Sequence, residues 1–242
     1  MVGPPGTAGC GVTGANHGIG FEAACQLALH GLHVVLASRD AAKGQEAAGR
    51  ILAEAPDEAG VSVELRQLDV ADAASVNNAG VNFNKGADNS VEFAKQVIET
   101  NYYGRKRMID AMIPLMKHSP YDARIVNVSS RLGRANGRRN RIGDASLRDR
   151  LLKDDCLSEQ LIDEMIMKFL EQVKQGGSSD RPEGQKIYIN CFCPGWVNTA
   201  MTGWEGNISA EEGADTGVWL ALLPQEPTTN GKFFAERSEI SF

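Results

Sequence analysis

The sequence predicts an α/β fold, a mostly parallel sheet with helices on both faces, and three observations carry that expectation. Apolar runs of strand length alternate with longer segments of helical periodicity. The stretch Thr13–Gly20 (TGANHGIG) sets glycines at 14, 18 and 20 between a short apolar start at Val12 and a helical pattern opening at Ile19. Late in the chain, the apolar run Lys186–Cys193 stops abruptly at Pro194-Gly195. At 242 residues, 42% of them hydrophobic and 23% charged, the chain has the size and composition of one α/β domain with a sizeable core.

The elements follow in order. His33–Ser38 (HVVLAS) reads as a buried strand with Arg39 at its carboxyl end, and Ala41–Ala55 is helical. Val61–Val70 alternates and then turns apolar, so it is a strand ending at Asp69. Residues Ser90–Lys117 form a long helical stretch broken near Asn101, followed by a strand at Arg124–Ser130. Ser158 reads as the N-cap of a helix whose stripe is Leu161, Met165, Phe169 and Val173, ending at Gly176-Gly177. Lys186–Cys193 is a strand, and Lys232–Glu236 is the last short one.

The glycine-rich stretch carries the chemistry. Glycine lacks a Cβ, so the main chain can turn tightly and approach a phosphate closely. A helix starting at Ile19 or Gly20 aims its unpaired N–H groups and positive dipole end at that phosphate. The earlier Gly9-x-Gly11-x-x-Gly14 spacing is set aside, because that pattern needs a strand before it and only the Gly- and Pro-rich residues Met1–Ala8 precede it.

Composition excludes several classes. A net charge of −6 argues against nucleic-acid and anionic-membrane partners. The local arginine cluster at 131, 134, 138, 139 and 141 reads as a solvated loop near an anion. Cys10, Cys25, Cys156, Cys191 and Cys193 are odd in number and form no CxxC pair, which fits free thiols in a reducing compartment; with the four histidines they show no metal-ligand spacing. No apolar run approaches the length of a membrane span or a leader, so the cytoplasm is the expected location.

Further pieces stand in a fixed order: Arg39, Asp69-Val70, Asn77-Asn78-Ala79-Gly80, Asn101-Tyr102-Tyr103-Gly104, Ser130-Arg131-Leu132-Gly133, and Pro194-Gly195-Trp196-Val197-Asn198-Thr199. Together with the glycine turn they resemble the short-chain dehydrogenase/reductase family over nearly the whole chain. The segment after Ser130 and the ending Gly231–Phe242 are similar to its carbonyl reductase, menthol dehydrogenase and salutaridine reductase subgroup. The resemblance implies a Rossmann-like doubly wound parallel sheet and a single NAD(P)-binding domain over 1–242, with a flap-like insertion around 138–175 that covers the usual dimer face and implies a monomer. It implies that Gly14, Asn16, Gly18, Ile19 and Gly20 hold a pyrophosphate. Arg39, with His17, would meet a 2′-phosphate, which favours NADPH because a guanidinium offers that group two parallel donors. Asp69 and Val70 would contact adenine, and Asn78, Ala79 and Gly80 the ribose side. Pro194, Gly195, Val197 and Thr199 would line and orient the nicotinamide. Ser130 would hydrogen-bond the carbonyl of a small-molecule ketone, aldehyde or alcohol, and Asn101 would hold a water of the proton relay. Each residue has a plainer reading (a strand-end charge, a turn, a helix kink), and it is the ordered set that selects the cofactor site.

Two departures stand out. Family chemistry needs Tyr-x-x-x-Lys on one helix, the lysine lowering a tyrosine pKa from near ~10. The four tyrosines are Tyr102, Tyr103, Tyr121 and Tyr188, and none lies within Arg131–Lys186, where that helix belongs. Tyr102 and Lys106 have the spacing but precede Ser130, so the pairing is read as coincidental. The second departure lies at Ala71–Val76, six residues where the family places a crossover helix and a central strand; a parallel crossover needs about a dozen. Six extended residues span roughly 20 Å, against about 14 Å for three strand spacings, so Asn77–Gly80 can reach its place without supplying a strand. The chain therefore reads as a shortened, catalytically impaired oxidoreductase of this family. The alternatives are a non-catalytic nucleotide-binding protein, a reductase with a substitute acid such as Tyr102, and an unstable splice or gene-model variant.

Overall fold

The computed structural model describes residues 8–55, 60–68, 79–80, 91–116, 124–131, 144–151, 153, 158–174, 188–223 and 231–240. Its parallel strands and flanking helices fall into two half-sheets.

The first half is continuous in sequence. Strand β1 (Gly9–Thr13) leads through the glycine turn into helix α1 (Gly18–Leu29). Then come β2 (His33–Ser38), α2 (Ala41–Glu54) and β3 (Ser62–Gln67). The strands pair in parallel in the order β1-β2-β3, with Val12 beside Leu36 and Leu36 beside Leu65. β2 is buried along its whole length, which explains its unbroken apolar run. Val34, Leu36 and Ile51 are fully buried, and each such side chain contributes about 1.5–3 kcal/mol of transfer free energy. Small residues let α2 approach: a Cβ on Gly44 would lie 2.4 Å from Leu65 Cδ1. β1 forms despite Gly9 and Gly11, because every residue has a partner in β2.

The second half begins with α3 (Val91–Ile98), a π-helical turn (Glu99–Tyr103) and α4 (Gly104–Met116). The break expected near Asn101 is therefore a wide turn inside a continuing helix. Strand β4 (Arg124–Val128), helices α5 (Ala145–Leu151) and α6 (Glu159–Lys174), and β5 (Tyr188–Phe192) follow. The expected cap of α6 is present, Leu161 N–H donating to Ser158 Oγ at 3.3 Å. After a 3-10 turn at Ala200–Thr202 come α7 (Ala210–Leu222), β6 (Phe233–Ala235) and β7 (Ser238–Ile240). The strand order is β4-β5-β6-β7, with the last pair antiparallel.

Two expectations need correction. The last strand is not Lys232–Glu236 but the second arm of a hairpin, β6 turning into β7 through Glu236 and Arg237 at φ 53° and 56°. Such a turn favours Asn and Gly, so a Glu-Arg pair gave no signal. The other correction is β3, which ends at Gln67 rather than Asp69.

Helix α7 joins the halves. Val218 packs in the core of the first half, while Leu220 packs with Phe192 and Phe234 in the second. Between β1 and β4 no strand pairing exists among the described residues. A central strand between them is thus not present among the described residues, in keeping with the six-residue length of Ala71–Val76.

Candidate functional site

The carboxyl ends of β1, β2 and β4 gather the expected residues. Gly14 and Gly18 both have φ +57°, a left-handed conformation that side chains rarely adopt, so the turn depends on glycine. Ala15 N–H donates to Ala37 O at 3.3 Å, tying the turn to the end of β2. Arg39 lies two residues beyond, with an exposed side chain. Asp40, next to it, is turned away to other work: it caps α2 through Lys43 N–H at 3.1 Å and pairs with Lys43 Nζ at 3.2 Å. Those contacts hold the Asp40 carboxyl below its ordinary value, the Lys43 backbone hydrogen bond being the largest cause.

Three helix N-termini can be compared. α2 is capped by Asp40, and α7 by a box in which Ser209 Oγ accepts from Glu212 N–H while Glu212 returns the bond. α1 starts at Gly18 with an exposed His17 as N-cap and no side-chain cap, nor any acidic residue in its first turn. Its first N–H groups are left for an outside acceptor. Thr199 stands over this opening, its Cγ2 3.3 Å from where a Cβ on Gly18 would be. Asn16 is half-buried in the turn, Ile19 faces a Cβ position on Gly213, and Gly20 is buried.

The loop after β5 closes the same edge. Gly195 has φ +89°, and a Cβ there would lie 2.8 Å from Ile208 Cδ1. Pro194 is half-buried. Val197 is 2% exposed and bridges to Ile208, so its side chain packs and only its main chain is available to a ligand. Trp196, Met201 and Trp204 are exposed on this loop, at 51%, 55% and 69%.

Asp69, Val70 and Asn78 lie outside the described residues. Ala79 and Gly80 do reach the carboxyl edge: Ala79 N–H donates to Thr13 Oγ1 at 2.8 Å. A Cβ on Gly80 would stand 3.4 Å from Asn101 Oδ1 and 3.7 Å from Arg105 Nη2. Asn101 sits in the π-turn, and Ser130 is exposed two residues past the end of β4. The helix pair Tyr102–Lys106 is differently engaged. Lys106 Nζ forms an ion pair with Glu159 of α6, whose hydrogen bond raises the lysine above its ordinary value. Burial, then the neighbouring Asp163 carboxylate, pushes the Tyr103 hydroxyl up. Tyr102 packs edge-on against Tyr103, ring centroids 5.0 Å apart.

Sequence reasoning missed two residues here. Thr13 receives the Ala79 N–H, and Arg105 reaches the end of β4, Nη1 donating to Val128 O at 2.5 Å. Burial lowers the Arg105 guanidinium below its ordinary value. Its signal was a charged residue set between Gly104 and Met108, both buried on the helix.

A βαβαβ half whose first helix opens uncapped after a glycine turn, with a ligand edge at the strand carboxyl ends, defines a Rossmann-like α/β protein. The chain belongs to the short chain dehydrogenase family, whose model matches residues 10–76 and 61–142. It is 34% identical to (+)-neomenthol dehydrogenase of Arabidopsis thaliana over 292 residues, covering 96% of this chain and 97% of that one. Mouse carbonyl reductase [NADPH] 1 is 30% identical, covering 93% and 95%. Among solved structures, salutaridine reductase from Papaver somniferum superposes with a TM-score of 0.78 at 28% identity, covering 94% of this chain and 99% of that one. An alignment of 292 positions is longer than this 242-residue chain, so the Arabidopsis relative carries internal segments that this chain lacks.

Proposed function

We propose that this chain is an NADPH-binding oxidoreductase-type protein, a single domain with its flap at 138–175, monomeric and cytoplasmic, whose carbonyl-reducing chemistry is impaired. The observation that carries the reading is the uncapped start of α1 at Gly18, flanked by Gly14 and overlooked by Thr199. A pyrophosphate fits that opening, because the free N–H groups lack an internal acceptor and no Cβ blocks approach. Arg39 supports the 2′-phosphate, since its side chain is exposed and pairs with no carboxylate among the described residues, the adjacent Asp40 being engaged by Lys43. Asp69, Val70 and Asn78 keep their proposed adenine and ribose contacts, Ala79 and Gly80 theirs beside Thr13.

When bound, NADPH would supply a hydride to the carbonyl carbon of a small ketone or aldehyde. Ser130 would hold the carbonyl oxygen, and Asn101 a water near it. What the chain lacks is an acid for that oxygen: no tyrosine lies within 131–187 of the sequence. Lys106 is engaged by Glu159 of α6, which speaks against a relocated Tyr102–Lys106 pair. General acid catalysis is worth ~10²–10⁴-fold, and turnover is expected to fall short of an intact relative by that factor.

A thermal-shift titration run beside a turnover assay tests both parts. The expected outcome is stabilisation by NADPH exceeding that by NADH, with turnover at or near background. Arg39→Ala should weaken NADPH by roughly 10–100-fold, the loss of charge-assisted hydrogen bonds, and leave NADH unchanged. Full turnover would refute the impairment; absence of any nucleotide-dependent shift would refute the cofactor site.

A further inference from the structure

β1 pairs with β2 and β4 with β5, and among the described residues nothing pairs the two facing edges. Main-chain groups alternate along β4. Ser129 N–H donates to Phe192 O at 2.7 Å, so the carbonyl of the preceding Val128 turns the other way, into the vacated lane. A carbonyl there needs a donor. In an unbroken sheet it would be a peptide N–H of the next strand; here it is Arg105 Nη1.

The guanidinium also reaches toward the first half. Its Nη2 lies near Gly80, whose neighbour Ala79 is bonded to Thr13 at the end of β1. From one half-sheet to the other, the carboxyl edge runs Thr13, Ala79–Gly80, Arg105, Val128. Arginine on a helix can carry its charge out to water along a flexible stem. Arg105 does the reverse: its Nε is enclosed without a hydrogen-bond partner, and no carboxylate pairs with it among the described residues. Enclosing an unpaired cation is unfavourable, so the placement implies a compensating task.

We infer that Arg105 is a positioning residue that stands in for the N–H row of the absent central strand, holding the end of β4, and with it Ser130, against the Thr13–Gly80 edge. Cys191 of β5 lies close enough to act on the same guanidinium, and burial raises its thiol above the ordinary value, so it does not neutralise the charge.

The test uses Arg105→Met in two backgrounds. In the chain as it stands, the change should lower the melting temperature, and Arg105→Lys, which keeps one donor, should fall between. The second background inserts between Val70 and Asn77 the aligned segment of the Arabidopsis neomenthol dehydrogenase. There Val128 O regains a peptide donor and the buried charge becomes a burden, so Arg105→Met should raise the melting temperature. An arginine acting through packing alone would shift both backgrounds the same way, and that result overturns the inference. If Arg105→Met does not fold in the first background, folding in the second supports it and failure in both overturns it. NADPH affinity should drop by roughly tenfold in the first background; unchanged affinity with a lowered melting temperature overturns the positioning of the ligand edge. This last readout rests on the proposed cofactor site, whereas the sign reversal needs no ligand, so the two can fail separately.

Discussion

The two half-sheets differ in what they need from the rest of the chain. The first is made by residues 9–67 in one sweep of alternating strands and helices, and its core joins Phe21, Val34, Leu36 and Ile51 in one cluster. The second collects elements from residue 91 to residue 240, and among the described residues its core is split: Phe192, Leu220 and Phe234 form one small cluster and Cys193, Phe233 and Ala235 another, while Met108, Ile125, Leu161 and Ile166 are buried outside both. The glycine turn proposed to face the nucleotide belongs to the compact half, and the place where the resemblance puts the acid-bearing helix belongs to the dispersed one. Under the proposed reading, the shorter internal length leaves the scaffold of the first function whole and costs that of the second. Local construction is what survives.

That contrast can be broken at three points. The largest effect is expected from Leu36→Ala, at the fully buried centre of the first half. It should cost about 2–5 kcal/mol in a denaturant titration and remove nucleotide-dependent stabilisation with it. A small effect there would mean that the first half is not the stable one.

Gly217→Ala addresses the joint. A Cβ at 217 would lie 2.5 Å from Phe192 Cζ, so ring and helix must move apart. Overpacking of this kind costs about 1–3 kcal/mol. One shifted transition in calorimetry would mean that α7 welds the halves into a single cooperative unit; a shift in only the later-forming part of a biphasic melt would mean that it does not.

The smallest effect concerns the contact between α4 and α6. Lys106 is raised above the ordinary lysine value of 10.5 by Glu159. A group whose folded pKa is raised contributes stability below its unfolded value and loses it as pH climbs through the folded one. The stability difference between the parent and Glu159→Gln should stay below about 1 kcal/mol, as for a partly exposed pair. It should hold up to pH 10.5 and vanish above it. A difference that persisted unchanged well above that pH would mean that the ion pair is not its source.

Legibility followed the same divide. β2 was readable to the residue, because a strand buried on both faces shows an unbroken apolar run. The α6 start was readable from Ser158. Helix α7 was missed because Gly213 and Gly217 weaken its pattern, yet both are there to admit Val197 and Phe192 against the helix. The Ser209-x-x-Glu212 capping box was the signal that could have found it. Arg105 left only a faint local signal, a charge between the buried Gly104 and Met108, and nothing in its neighbourhood foretells the contact with Val128 O. The positions of Gly14, Gly18, Arg39, Ala79 and Thr199 at one edge follow the order in which their motifs occur, whereas Asp69, Val70 and Asn78 lie outside the described residues.

The exposed indoles of Trp196 and Trp204 give this chain a built-in optical gauge. Both sit on the loop that carries Thr199, while Trp219 is packed against Phe234, with ring centroids 5.6 Å apart. Water-bathed indoles emit at longer wavelength than enclosed ones, and their emission overlaps the near-ultraviolet absorption of a reduced nicotinamide. Light from this loop would therefore dim on cofactor arrival, with no added dye.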